Sequence, residues 1–232
     1  MEQPRIFRYD TVDSTNTVCK SLAAQGAPSG TAVIARRQTA GRGRMGRSFE
    51  SPEGLGLYLS VLWRPEGTPE DLLPLTPMAA VSAAMAIRRV TGAPVRIKWP
   101  NDLVLEGRKL AGILTEASLS GRGVDHVVIG IGVNLRQRPD DFSPEVAQIA
   151  TSLEAQGYPA DRAALETALA QSLRTLAHPG GLRRRLSPPV PEPGTDAAHP
   201  GYRGDGDGPG HRLAVRPCGA PPGRHGGHAA LR

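Results

Sequence analysis

A chain of 232 residues, 39% of them hydrophobic, is long enough for one domain with a substantial core, and its two cysteines, Cys19 and Cys218, give neither a disulfide framework nor a zinc-ligand spacing. The formal charge of +6 is unevenly spread: residues 179–232 hold eight Arg, no Lys and four acids, which leaves only +2 on the first 178, so the basic balance is weak evidence for a nucleic-acid partner. No apolar run approaches the ~20 residues of a membrane span, and "MEQPRIFRYD" lacks the apolar core of a signal peptide, so a soluble, cytoplasmic protein without a membrane partner is expected.

In chain order, "RIFRY" (5–9) alternates as a strand does, and "DSTNTVCKSLAAQG" predicts a helix ending at Gly26 with Asp13 or Ser14 as its N-cap. "TAVIARRQT" (31–39) and "GLYLSVLWRP" (56–65) are strand-like. "LTPMAAVSAAMAIRRVTG" (75–92) is Ala-rich and apolar on most sides, which predicts a helix buried against a sheet. "VRIKW" (95–99) follows, then "DLVLEGRKLAGILTEAS" (102–118), two strands hinged at Glu106-Gly107, and then "DHVVIGIGVNL" (125–135). "DRAALETALAQSLRTLAH" (161–178) is a second amphipathic helix. Strands in consecutive blocks, joined by hairpins, point to an α+β fold. Residues 1–178 are expected to form one folded domain. Residues 179–232 hold 12 Gly and 10 Pro and no Ile, Phe, Trp, Met or Lys, a composition expected to be a disordered tail or the product of a shifted reading frame.

The segment "QTAGRGRMGRSF" (38–49) places three arginines and three glycines between Gly41 and Arg47. Gly41, Gly43 and Gly46 match G-x-G-x-x-G, but a dinucleotide fingerprint needs its last glycine to open a helix. Here Pro52, Gly54 and Gly56 fall where that helix would run, so the match is rejected. What remains is a loop in which arginines alternate with glycines, so that the backbone can wrap closely while guanidinium groups converge on one anion. A second basic segment, "EGRKLAG", sets Lys109 ahead of Ala111-Gly112 in a strand, where small residues often mark the close approach of a ligand. "KWPND" (98–102) adds Lys98, Trp99, Asn101 and Asp102. Each is ordinary alone: the loop could be a solvated basic turn, Trp99 a core residue, Lys98 a surface charge. Together they suggest a pocket for a phosphorylated, partly apolar ligand.

"DSTN", "QTAGRGRMGRSF", "GLYLS", "KWPNDL", "RKLAGIL" and "VIGIGVNL", in this order and spacing, resemble the catalytic domain of biotin–protein ligases over residues 5 to 178. The resemblance implies a mixed, largely antiparallel sheet flanked by helices, related to class II aminoacyl-tRNA synthetases. It also implies ATP and biotin as substrates, Mg²⁺ carried with ATP, and transfer of biotin through biotinyl-5′-AMP to a lysine of a biotin carboxyl carrier protein domain. No DNA-binding segment precedes residue 5, so the monofunctional type is expected, as a monomer or homodimer without a specific nucleic-acid partner. The small C-terminal β-barrel usual in the family is not supplied by the tail.

Carried over by motif, the resemblance implies biotin contacts at Ser14, Thr15, Asn16, Gln38, Arg42, Gly43, Arg44, Lys109 and Gly112. It implies ATP contacts at Arg42, Arg44, Lys98, Trp99, Asn101, Lys109 and Asn134, with Lys109 and Arg44 catalytic and no protein-held metal. Gly130 and Gly132 are expected to keep their strand thin beside the nucleotide. Met45 stands where the family loop usually carries a third basic residue. Three alternatives stay open: a lipoate-type acyl-adenylate ligase, an impaired remnant that binds biotin and ATP, and a basic nucleic-acid-binding protein, for which nine aromatic residues supply few stacking platforms.

Overall fold

In the computed structural model, residues 5–66, 68–121 and 123–176 are described. The expected tail, 179–232, and the end of the last predicted helix lie outside them. The elements are β1 (Ile6–Val12), α1 (Thr15–Ala24), β2 (Ala32–Gln38), β3 (Gly56–Trp63), α2 (Leu75–Thr91), β4 (Arg96–Lys98), β5 (Asp102–Leu105), β6 (Arg108–Ser120), β7 (Gly123–Asn134), α3 (Pro144–Ala147) and α4 (Arg162–Leu176). Seven strands form one sheet in the order β1-β2-β3-β7-β6-β5-β4. Only β1 and β2 run parallel. The other neighbours are antiparallel, giving the mixed, mostly antiparallel α+β sheet expected from the sequence.

The β5–β6 hairpin turns where the sequence places its hinge. Glu106 (φ 49°) and Gly107 (φ 74°) both adopt positive φ, as a two-residue turn that continues the strand twist requires. Helix α2 stops at Gly92, whose φ of 73° is the left-handed value that ends many helices. Its alanines 79, 80, 83, 84 and 86 are buried, and these short side chains let the helix lie close to the sheet. The chain from 139 to 156, with α3 and short 3₁₀ turns, carries no strong periodicity from which its elements could be read.

Strand alternation divides the molecule into two faces. Odd-numbered residues of the central strands, among them Leu57, Leu59, Val61, Ile129, Ile131, Val133 and Ile113, form the main core with α2 and α4. On the other face, Val33, Leu62 and Val128 pack under α1 with Cys19 and Ala23. Along β3, β7 and β6 that second face continues in rows: Ser60, Gly130 and Leu114 align, and Tyr58, Gly132 and Gly112 align beside them. Two of these rows are thus thinned by glycine. The space above them is the cavity described next.

Cys19 is fully buried in the smaller cluster, and burial pushes its thiol up to about 12. Since the thiolate is the reactive form, its fraction at pH 8 is on the order of one in ten thousand. In the native protein the peptide containing Cys19 is expected to escape iodoacetamide at pH 8 for hours and to react promptly in guanidinium chloride. Peptide mapping by mass spectrometry checks this.

Candidate functional site

A cavity of about 360 Å³ opens on the α1 face of the sheet. Ser14, Thr15 and Asn16 reach it from the start of α1, Gln38 from the end of β2, and Arg42, Gly43 and Arg44 from the loop after β2. Asn101, Asp102, Lys109 and Gly112 line it from β5, β6 and the turn before them, and Gly130, Gly132 and Asn134 from β7. The predicted biotin residues therefore share one cavity wall. Of the predicted ATP residues, Lys98 and Trp99 do not line it. Lys98 is exposed and Trp99 is 75% exposed, so Trp99 is no core residue either.

The Arg-Gly loop is a small hairpin of its own. Arg42 bridges Ser48, the Gly43 amide donates to the Arg47 carbonyl (2.7 Å), and the Phe49 amide donates to the Gly41 carbonyl (2.9 Å). Met45 (φ 55°) and Gly46 (φ 75°) make the tip, and Met45 is 91% exposed. No helix follows, so the chain cannot present a dinucleotide helix terminus and the rejection of that motif stands. From this hairpin Arg44 Nη1 donates to Asn101 Oδ1 (3.0 Å), while Arg42 Nη2 lies 3.2 Å from Glu116 Oε1. Asn101 in turn donates to the Ile113 carbonyl (3.2 Å).

Lys109 enters the cavity through an irregularity in the sheet. Val104 pairs with Lys109 while its neighbour Leu103 pairs with Ala111, so Leu110 has no partner of its own. Leu110 and Ala111 both turn into the main core, and Lys109 and Gly112 are left together on the other face. A bulge of this kind re-aims a side chain that strict alternation would have buried. Lys109 Nζ lies 2.8 Å from Asp102 Oδ1.

The floor near α1 is a polar network. The Thr15 amide and hydroxyl donate to Gln38 Oε1 (2.9 and 3.1 Å), and Gln38 Nε2 donates to Ser51 Oγ (2.8 Å). Ser60 Oγ sits 2.8 Å from Thr15 Oγ1 and 2.6 Å from Asn16 Oδ1. Ser14 occupies the N-cap position of α1 with extended backbone, yet its side chain makes no capping bond. Its buried hydroxyl lines the cavity instead.

Gly130, Gly132 and Asn134, expected beside the nucleotide, all line the cavity and also have protein partners. Gly130 and Gly132 make room for protein side chains: a Cβ on Gly130 would overlap Asn16 Oδ1, and one on Gly132 would lie 2.5 Å from the Phe49 ring. Asn134 lines the cavity, but its amide is already engaged, donating to the Thr151 carbonyl (2.9 Å) and accepting from Gln137 Nε2 (3.1 Å).

Sequence reasoning missed Ser60, Ser51, Phe49 and Glu116. Ser60 did leave a signal, as a small polar residue in the otherwise apolar run of β3, whereas Glu116 shares β6 with Lys109, Thr115 and Ser118 and does not stand out. Glu116, only 16% exposed at its side chain, takes Lys20 Nζ at 2.6 Å, Asn16 Nδ2 at 2.7 Å and Arg42. Burial alone would raise its carboxyl. The hydrogen bonds from Lys20 and Asn16 and the charges of Lys20 and Arg42 outweigh this and hold it below the ordinary carboxylate range.

Among the described residues no three His, Cys, Asp or Glu side chains are gathered as a metal site would need, and no helix is long and apolar enough to cross a membrane. The carboxylate nearest the cavity cations, Asp102, is paired with Lys109, which is a poor arrangement for a protein-held Mg²⁺.

Comparison with known proteins gives a consistent pattern. A model of the biotin/lipoate A/B protein ligase family matches residues 9–134. The bifunctional ligase/repressor BirA of Bacillus subtilis is 44% identical over 159 residues, 68% of this chain and 49% of that protein. The biotin–[acetyl-CoA-carboxylase] ligase of Paracoccus denitrificans is 45% identical over 130 residues, 55% of this chain and 53% of that one. The chain thus spans about half the length of the curated relatives it matches. Among solved structures, biotin protein ligase from Aquifex aeolicus in complex with biotin and ATP superposes with a TM-score of 0.58 at 32% identity, covering 75% of this chain and 72% of that one. The Leishmania major enzyme in complex with biotin gives 0.64 at 28% identity, covering 80% and 79%.

Proposed function

The chain belongs to the biotin/lipoate A/B protein ligase family, and from that premise we propose that it is an ATP-dependent ligase that makes biotinyl-5′-AMP and passes the biotinyl group to a lysine of a biotin carboxyl carrier protein domain. The observation that carries the reading is one cavity lined both by Arg42 and Arg44 of the glycine loop and by Lys109 of β6. Two anions must meet there, so the chemistry is chiefly electrostatic.

In the first step a biotin carboxylate oxygen attacks the α-phosphorus of ATP, the bond to the bridging oxygen breaks, and pyrophosphate leaves with its electron pair. Lys109 neutralises the carboxylate and the α-phosphate; its three rotatable donors suit a charge that moves between neighbouring oxygens. Arg42 and Arg44 close over the mixed anhydride, each charge-assisted bond contributing roughly 1.5–3 kcal/mol. Ser14, Thr15, Asn16 and Gln38 satisfy the one acceptor and two donors of the ureido ring, and Gly43 and Gly112 allow close approach. Asn101 orients Arg44 on the nucleotide side, and Asn134 would use the second lone pair of its Oδ1. Lys98 and Trp99 could reach ATP only where it extends past the cavity wall. Mg²⁺ carried with ATP would offset part of the phosphate charge, with no side chain here assigned to hold it. In the second step a carrier lysine amine attacks the acyl carbon, AMP departs, and the amine proton passes to solvent or phosphate.

Biotin-dependent exchange of labelled pyrophosphate into ATP by the full chain, followed by mass shift of a carrier domain, tests this. Exchange with biotin but not lipoate is expected; equal or exclusive exchange with lipoate, or none with either, overturns it. Arg44→Gly is expected to keep measurable exchange while the adenylate half-life on the protein falls about tenfold, because its guanidinium no longer clamps the product. Unchanged retention in a rapid filtration assay would refute that role.

A further inference from the structure

Glu116 does not line the cavity, yet three donors that serve the cavity wall and α1 converge on its carboxylate. Oε2 accepts from Asn16 Nδ2 at 2.7 Å; Oε1 lies 2.6 Å from Lys20 Nζ and 3.2 Å from Arg42 Nη2. We propose that Glu116 is a positioning residue for biotin recognition, fixing which end of the Asn16 amide faces the cavity. The inference rests on the ligase reading and adds to it a residue that none of its motifs assigns a role.

The chemistry of the partners supports it. An ionised carboxylate only accepts, so it can satisfy an amide NH₂, an ammonium and a guanidinium at once. With Nδ2 held by Glu116 and by the Leu114 carbonyl (3.4 Å), Asn16 must present Oδ1 to Ser60 and to the space above Gly130. That oxygen has a second lone pair, the acceptor a ureido N–H requires. Lys20 alone balances the charge of Glu116. Arg42 is half exposed and spends one nitrogen on the contact, so its other N–H groups stay free for an anionic ligand. The downward displacement of the Glu116 carboxyl keeps it an acceptor throughout the neutral range.

Glu116→Gln is nearly isosteric and removes this property, because its NH₂ would face a donor. Asn16 then gains by turning over, which presents NH₂ where Oδ1 had been. For Glu116→Gln the biotin KM in pyrophosphate exchange, and the biotin Kd by calorimetry, are expected to rise at least tenfold. The ATP KM should stay within twofold, kcat at saturating biotin within threefold, and the melting temperature within a few degrees. Biotin KM within twofold of the parent, or equal rises in both KM values, overturns the inference while the ligase reading stands. A parent that neither exchanges pyrophosphate nor binds biotin removes both. If Glu116→Gln does not fold, Glu116→Asp keeps the charge and the Lys20 pair one methylene shorter. It must then raise the biotin KM threefold or more with ATP unchanged, and failure to do so is equally decisive.

Discussion

Replacing Lys109 by alanine is expected to reduce biotin-dependent pyrophosphate exchange by about a hundredfold to a thousandfold, the usual cost of removing one preorganised charge-stabilising donor from an active site. Two effects act together. The proposed counter-charge for the carboxylate and the α-phosphate is lost, and Asp102, now without its partner at 2.8 Å, adds a negative charge beside an anionic ligand. The second effect can be separated. Lys109→Ala combined with Asp102→Ala should recover part of the ATP affinity and none of the turnover. Lys109→Arg should not restore the rate, since a planar guanidinium cannot follow charge between oxygens as an ammonium can, and Lys109 Cε and Nζ already lie 3.4 Å from the point where a Gly112 Cβ would sit. Turnover within threefold of the parent in Lys109→Ala would remove the lysine from the chemistry.

Gly130→Ala is expected to abolish measurable biotin binding while leaving the sheet intact. The added methyl group overlaps Asn16 Oδ1, at the point where Ser60, Asn16 and Glu116 are linked. Asn16 must leave, which breaks the Ser60 contact and strips Glu116 of one donor. Overpacking of this kind costs about 1–3 kcal/mol, so a fall in melting temperature of several degrees should accompany the loss. Gly121→Ala is the matched control, because a Cβ there meets nothing within 4 Å. Both variants should be compared by thermal melting and by biotin titration calorimetry. Biotin affinity within threefold of the parent in Gly130→Ala would show that the thin row above β7 is not part of the ligand site.

Much of the architecture is determined locally. Gly107 marks a tight turn because glycine adopts positive φ without steric cost, Gly92 ends α2 for the same reason, and the alternation in "GLYLSVLW" and "VVIGIGVN" sets the two faces of the sheet before any neighbour is known. The Arg-Gly loop, Lys109 and the polar start of α1 are equally visible, as clusters of residue types that a core would not retain without a task. The tertiary structure decided which of them meet. Strict alternation gives Lys109 the phase of Ala111, on the core side; only the mismatch of β5 against β6, with Leu110 left over, delivers it to the cavity. Glu116 is one acid in a strand until β6 pairs with β7 and α1 crosses the sheet, setting Asn16, Lys20 and Arg42 within reach from positions 74 to 100 residues away. Backbone preferences act over a few residues and can be read along the chain. Strand register and charge convergence depend on contacts between distant segments, and these exist only once the sheet has closed on its helices.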